Sequence, residues 1–219
     1  TIVNPLRYVQ AIARAFTGRG GDVRRAQVES LAPLAEGRWQ LEVNERTAAA
    51  LPAFDRVVVA AGAWSGRLLK PLGVRLALES QRGYHVQFEG ARNTVSRTVV
   101  LADRKVFVTP MEQGLRVGGT VEIGGLERPL DARRAALLER FARETFPGLD
   151  GIEAAQWMGH RPCMPDSVPV IGPCAEPPGL WLAVGHGHLG LTDSVNTAER
   201  IAEQMFGPAP QSEVVARPN

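Results

Sequence analysis

Cysteine, lysine and tyrosine are nearly missing from this 219-residue sequence, which has two of each. Cys163 and Cys174 cannot build a disulfide framework, and their single wide spacing matches no zinc-ligand pattern. A reducing, cytoplasmic setting is the expectation, with peripheral attachment to the inner membrane as its variant. No stretch comes near the roughly 18 apolar residues of a membrane-spanning helix, and residues 1–10 lack the apolar core of a signal peptide. They also lack a methionine, which leads to the expectation that a further segment precedes Thr1. Only Lys70 and Lys105 stand among the 25 basic residues, so the net charge of +2 rests on scattered arginines. A charge so small and dispersed argues against a nucleic-acid-binding stripe. No Ser-His-Asp order and no paired carboxylates suggest hydrolysis, and no internal repeat is visible.

What is present is 44% hydrophobic residues, enough for a compact protein of one or two domains. Asn4-Pro5 followed by Leu6, Val9, Ile12, Ala13 and Phe16 predicts a helix, capped by Asn4, with Pro5 at its first position and Gly18, Gly20 and Gly21 at its end. Residues 23–33, 39–43 and 54–60 read as strands between polar turns. The apolar run from Val57 to Gly62 suits a central strand buried on both faces. Segments 84–88, 99–101, 106–109 and 115–120 alternate and predict an antiparallel sheet. Asp131 caps an amphipathic helix that reaches Phe146 and is stopped by Pro147-Gly148. Residues 162–178 are extended and proline-rich, and 179–184 form a second buried strand. Glycines lead from there into a helix running from about Asp193 to Phe206, and a loose tail follows. A buried strand, an antiparallel excursion and another buried strand give an α/β (α+β) fold class, with a small sheet domain inserted into a larger α/β domain.

Gly185-His186-Gly187-His188-Leu189-Gly190 formally satisfies G-x-G-x-x-G between a strand and a helix. A dinucleotide-binding unit also needs a second parallel strand after the helix, ending in an acidic residue for the ribose. After Gly207 only a short proline-rich stretch remains, so the pyrophosphate reading fails here. The turn still has physical meaning: glycines let main-chain N–H groups approach a ligand, and a helix start favours negative charge. The plainer alternative is a tight turn that packs strand on helix.

Four segments resemble the D-amino-acid oxidase superfamily of FAD-dependent flavoproteins. Val58-Val59-Ala60-Ala61-Gly62-Ala63-Trp64-Ser65 is similar to its A-x-G-x-W-S segment, and Gln81-Arg82-Gly83-Tyr84-His85 to its "RGYH" strand. Trp157-Met158-Gly159-His160-Arg161-Pro162-Cys163-Met164-Pro165-Asp166 resembles its W-x-G-x-R-P-x-x-P-D signature, followed by Pro169-Val170-Ile171-Gly172. Gly185 to Thr192 resembles the closing GHGHLGLT of D-amino-acid dehydrogenase-like members. The four occur in family order across almost the whole chain. The resemblance implies part of an FAD-binding α/β domain, residues 1–75 and 160–208, incomplete without an ADP-binding fold ahead of Thr1. It also implies an inserted antiparallel-sheet substrate domain, residues 76–159, and a loose tail, residues 209–219.

The resemblance also implies roles. Arg161 would clamp the substrate carboxylate by two parallel charge-assisted hydrogen bonds and so orient the Cα–H. A structural arginine in an interface salt bridge is the alternative. Tyr84 would close the pocket or bond the substrate, or be an ordinary sheet tyrosine; His85, on the opposite side of a regular strand, is read as structural. Val28, Ala61, Gly62 and Trp64 match positions near the FAD, Val28 through main-chain contacts to the adenine. Gly185, Gly187, His188, Leu189, Gly190, Leu191 and Thr192 would border the flavin edge, where a helix start stabilises the negative charge of the reduced ring. His186 would hold the turn, Asp166 reads as structural, and no metal site is expected.

The expected activity is oxidation of an amino acid, a D-amino acid or a secondary amine, with hydride passing from Cα to flavin N5. The expected partners are that substrate, a quinone or electron carrier as acceptor, and the preceding segment. Two alternatives stay open: a glycine or sarcosine oxidase-type enzyme using oxygen, and a non-catalytic fragment or subunit unable to bind FAD alone.

Overall fold

The computed structural model describes residues 2–44 and 51–207. Along the chain run α1 (Pro5–Thr17), β1 (Val28–Pro33), β2 (Trp39–Val43), β3 (Val57–Val59), α2 (Ser65–Leu69), β4 (Glu79–Glu89) and β5 (Val99–Leu101). Then come β6 (Val106–Pro110), β7 (Gly114–Ile123), α3 (Ala132–Thr145), β8 (Ala154–Cys163), β9 (Val170–Pro173), β10 (Leu180–Val184) and α4 (Ser194–Phe206). The elements fall into two compact units. One takes residues 2–27, 44 and 79–161, the other residues 28–43, 51–78 and 162–207.

The first unit is a five-stranded sheet in the order β5-β6-β7-β4-β8, antiparallel from β5 through to β4. Its strands alternate, and α3 covers one face. Ala135, Leu138 and Ala142 of α3 are buried against Tyr84, Val86 and Phe88 of β4 and Leu115 and Val117 of β7. Asp131 caps α3 as its sequence predicts, its carboxylate accepting from the Arg133 N–H at 3.1 Å. In α1 the Asn4 side chain accepts from the Arg7 N–H at 3.0 Å, and Pro5 fills a position that needs no donor. No residue of α1 is buried, so Leu6, Val9, Ile12 and Phe16 line an open apolar stripe.

The start of α1 is tied to the β6–β7 turn by Asn4 and Arg7, which both donate to Glu112. The Glu112 N–H in turn donates to the Val3 carbonyl at 3.0 Å. Residues 2–27 therefore group with the sheet, not with the α/β part where the sequence boundaries had placed them. Further along the chain, changes of unit at 78/79 and 161/162 bound the strands and helix of the sheet unit.

The second unit pairs β1 with β2 as an antiparallel ribbon and assembles a three-stranded sheet, β3-β10-β9. β10 is parallel to β3 and antiparallel to β9. Leu31, Trp39, Val57, Val59, Leu69 and Leu180 form its core, with the Trp39 indole donating to the Pro178 carbonyl at 3.1 Å. The expectation that β3 is covered on both faces is corrected. Val57 and Val59 are buried, but Val58 is 42% exposed and β3 stands at the edge of its sheet. β10, apolar throughout, takes the central place instead. The expected tail, residues 209–219, lies outside the described residues.

Candidate active site

Arg161 projects from β8 onto the face of the first unit's sheet that α3 leaves open. Its guanidinium lies flat on the backbone of Gly83 in β4: a Cβ placed on Gly83 would fall 2.1 Å from Nη2 and 2.2 Å from Cζ. A residue without a side chain is what lets this contact form. Arg161 is half-buried, and no ion pair holds it among the described residues. Its planar, permanently charged fork thus remains free to receive a carboxylate.

The same face carries Trp157 and His85. Their rings stack at 4.6 Å and 24°. The Trp157 ring covers Gly159 as Arg161 covers Gly83, since a Cβ on Gly159 would fall 2.0 Å from it. Burial, with the nearby Arg116 cation second, pulls the His85 pKa down to about 4, so its ring is neutral at physiological pH.

Tyr84 is on the other face, and its expected role at the pocket is corrected. It is 1% exposed and packs in the core beneath α3. Its hydroxyl donates to Glu122 at 2.5 Å and accepts from the Asp131 N–H at 3.3 Å. Arg82, fully buried, stands 3.5 Å from the same carboxylate and donates to the Pro129 carbonyl at 2.7 Å. The hydrogen bond from Tyr84, then the surrounding guanidinium groups of Arg82, Arg128 and Arg134, hold the Glu122 carboxyl below the usual range against the opposing effect of burial. Strand alternation separates Tyr84 from His85, as the sequence indicated, but α3 covers the tyrosine side and leaves the histidine with Arg161.

A bulge in β7 completes the arrangement. Gly83 pairs with Val121 and Tyr84 with Gly119, so Thr120, at φ 58°, is an extra residue. One added residue reverses the faces beyond it. Leu115 and Val117 point to the core before the bulge, and after it Glu122 does, leaving Val121 and Ile123 53% and 70% exposed.

The glycine turn belongs to the second unit. Gly185, Gly187 and Gly190, with Val58, Ala60 and Ala183, line a cavity of about 600 Å³ over the open side of β3 and β10. Gly185 has φ 87°, and a Cβ there would fall 2.5 Å from the Met164 side chain. His186 bonds Thr197 of α4 through Nε2 at 2.9 Å, so it holds the turn as expected. The Gly187 N–H donates to the Pro162 carbonyl at 2.8 Å. His188, Leu189 and Leu191 are exposed, and Thr192 lies just ahead of α4. Ala61 and Gly62 follow β3 after Ala60; Trp64 is 46% exposed, and Val28 begins β1, partly buried against the core. Asp166 accepts from the Val168 N–H at 3.0 Å, a local turn that leaves it structural.

Residues 1–204 match the family model described as FAD dependent oxidoreductase. The chain belongs to that family. It is 36% identical to a D-amino-acid oxidase of Bradyrhizobium diazoefficiens over 212 residues, which are 95% of this chain and 49% of that protein. It is 39% identical to a D-amino acid dehydrogenase of Rhizobium johnstonii over 159 residues, 72% of this chain and 38% of that one. The chain thus spans about half the length of the curated relatives it matches. In fold, this FAD dependent oxidoreductase chain resembles glycine oxidase from Geobacillus kaustophilus, with a TM-score of 0.76 at 23% identity over 94% of this chain and 55% of that one. It also resembles L-proline dehydrogenase from P. horikoshii, with a TM-score of 0.78 at 18% identity over 96% and 57%.

The second unit's residues fit part of a flavin cofactor. About half of the residues in the cavity wall are glycine or alanine, and nothing lies within 4 Å of where a Gly62 Cβ would be. A flat ring can approach such backbone closely, and Ser194 and Thr197 from the first turn of α4 line the same cavity, where a helix start favours negative charge. Trp157 and the bulge at Thr120 escaped the sequence reading, which placed His85 opposite Tyr84 but read it as structural. The alternation of Arg82 to Phe88 contained a signal for His85, whereas positive φ at a threonine has none.

Proposed function

We propose that the protein is an FAD-dependent dehydrogenase or oxidase acting on an amino acid, a D-amino acid or a secondary amine. The observation that carries this reading is the Arg161 guanidinium laid flat on Gly83, half-buried and without a counter-charge among the described residues. Such a group binds a carboxylate through two parallel hydrogen bonds and fixes the direction of the neighbouring carbon's hydrogen. Ala61, Gly62, Trp64 and the turn from Gly185 to Thr192 would hold the FAD, with Val28 contributing main chain. When bound, the cofactor supplies the two-electron acceptor for the hydrogen on that carbon. The neutral His85 ring and Trp157 exclude water along one side of the carboxylate and add no competing charge. No side chain of the open face is needed as a base, since an amine entering neutral can lose its hydrogen and leave as an imine that water hydrolyses.

The GHGHLGLT segment favours a quinone or carrier over oxygen as acceptor, while the kinship includes an oxidase as well as dehydrogenases. The test is turnover of D-alanine and D-proline by FAD-loaded protein, read as quinone-analogue reduction beside peroxide formation. Arg161→Ala is expected to weaken substrate binding by about 2–4 kcal/mol through loss of the bidentate pair. An unchanged KM would remove Arg161 from the site, and rapid peroxide formation would reassign the acceptor to oxygen.

A further inference from the structure

The proposed reaction uses one arginine, yet the open face of the sheet carries a second. Arg116 of β7 lies between Leu115 and Val117, both fully buried in the core, and so points away from α3. It is half-buried, and among the described residues its guanidinium meets no carboxylate. Its Nε donates to the Gln87 side-chain oxygen at 3.2 Å. The Gln87 amide nitrogen, closed off from water, has no hydrogen-bond partner. The rest of the Arg116 guanidinium therefore keeps donors with no protein acceptor among the described residues. A cation held half out of water without a counter-ion is costly unless an anion comes to it. Burial accordingly lowers the Arg116 pKa, and no acid opposes that shift.

The spacing defines the ligand. Arg116 pairs in register with Gln87, four residues along β4 from the Gly83 platform of Arg161. At strand rise that is about 13 Å between Gly83, on which the Arg161 guanidinium lies, and Gln87, whose side chain the Arg116 Nε meets. The row between them is Gly118, which pairs with His85 on one side and Phe107 on the other. Phe107 is 54% exposed and Trp157 53% exposed, and the nearest atoms to a Cβ on Gly118 would be 3.7 Å away. The sheet thus offers an aromatic-walled path, floored by a glycine, from one guanidinium to the other.

We propose that this face takes amino acids with two carboxylates, Arg161 binding the one beside the reacting carbon and Arg116 the distal one. The methylenes between them lie along Gly118, flanked by His85 and Phe107. The proposal rests on Arg161 binding the first carboxylate, and nothing else in the proposed reaction requires Arg116.

Calorimetric titration of the FAD-loaded protein with glutarate and with butyrate tests it directly. The two have similar chain lengths and differ by one carboxylate. Glutarate is expected to bind at least tenfold more tightly, and Arg116→Gln to bring the two within about twofold. With amino acids, the same variant is expected to lower the ratio of kcat/KM for D-glutamate to that for D-alanine at least tenfold. Equal affinities for glutarate and butyrate in the unaltered protein overturn the two-carboxylate site, even if D-alanine is oxidised. A glutarate preference abolished by Arg116→Gln upholds it even if no amino acid is oxidised, an outcome that would count against the proposed reaction alone. The comparison in the unaltered protein stands without the variant, should Arg116→Gln fail to fold.

Discussion

Gly83 has no side chain in the space that the Arg161 guanidinium fills. The contact is between a charged plane and bare backbone, so it depends on the absence of one methyl group. Gly83→Ala places a carbon where Nη2 now lies, and β4 is too deeply paired on both sides to move aside. The arginine has to swing off. The expected outcome is a rise in KM comparable with that of Arg161→Ala, with kcat less affected. Circular dichroism is expected to show the sheet intact. If Gly83→Ala leaves KM unchanged, the platform does not position the arginine. Arg161 itself was legible from its motif. Its neighbours were not: Tyr84 and His85 alternate visibly, but nothing near them in sequence says which side a helix about fifty residues away will cover.

At the scale of elements, α3 decides which face of the sheet is core. Leu138 is fully buried between α3 and the strands, with Ala135 and Ala142 on either side. Leu138→Ala is expected to cost about 2–5 kcal/mol, the range for a buried leucine whose cavity cannot collapse. Thermal unfolding would register this as a lower Tm, and a Tm within a degree of the parent would mean that α3 is not packed as described. α1 and α3 were read accurately because their caps, Asn4 and Asp131, are single residues acting on N–H groups within three positions, whereas α2 was missed. β8 was seen as a motif and missed as a strand. Its Gly159 and Pro162 break the apolar alternation that marks other strands. β3 shows the opposite error. An apolar run states that burial is wanted, but the place in the sheet is set by the partner strand, and β10 took the centre.

For the whole molecule, the ionisable groups predict how stability follows pH. The His85 pKa is near 4 in the folded protein and about 6.5 when unfolded. Between those values the unfolded chain binds a proton that the folded one does not, so stability is full above pH 6.5 and falls as the pH drops toward 4. Glu112 and Glu122 act lower down. The Asn4 and Arg7 side chains on the first, and the Tyr84 hydroxyl on the second, keep both carboxyls below their ordinary range. Their contribution is present above the usual carboxylate pKa and is lost as acid protonates them. Denaturant midpoints are therefore expected to decline from pH 7 to pH 5, and His85→Gln to flatten that part of the decline while leaving the drop below pH 4.5. A midpoint constant from pH 7 to pH 5 would show that His85 titrates normally.

Helix caps, the glycine turn, the order of the family motifs and the antiparallel strands are written in residues a few positions apart, and the amino-acid order alone settles them. Three things it left open: the face of β4 that lines the site, the grouping of residues 2–27 with the sheet unit, and the bulge at Thr120. Each depends on which distant surface an element packs against. Alternation creates two faces of nearly equal claim, and only α3, Glu112 and the pairing of β4 with β7 break the tie, because burial free energy is gained between elements and not within them.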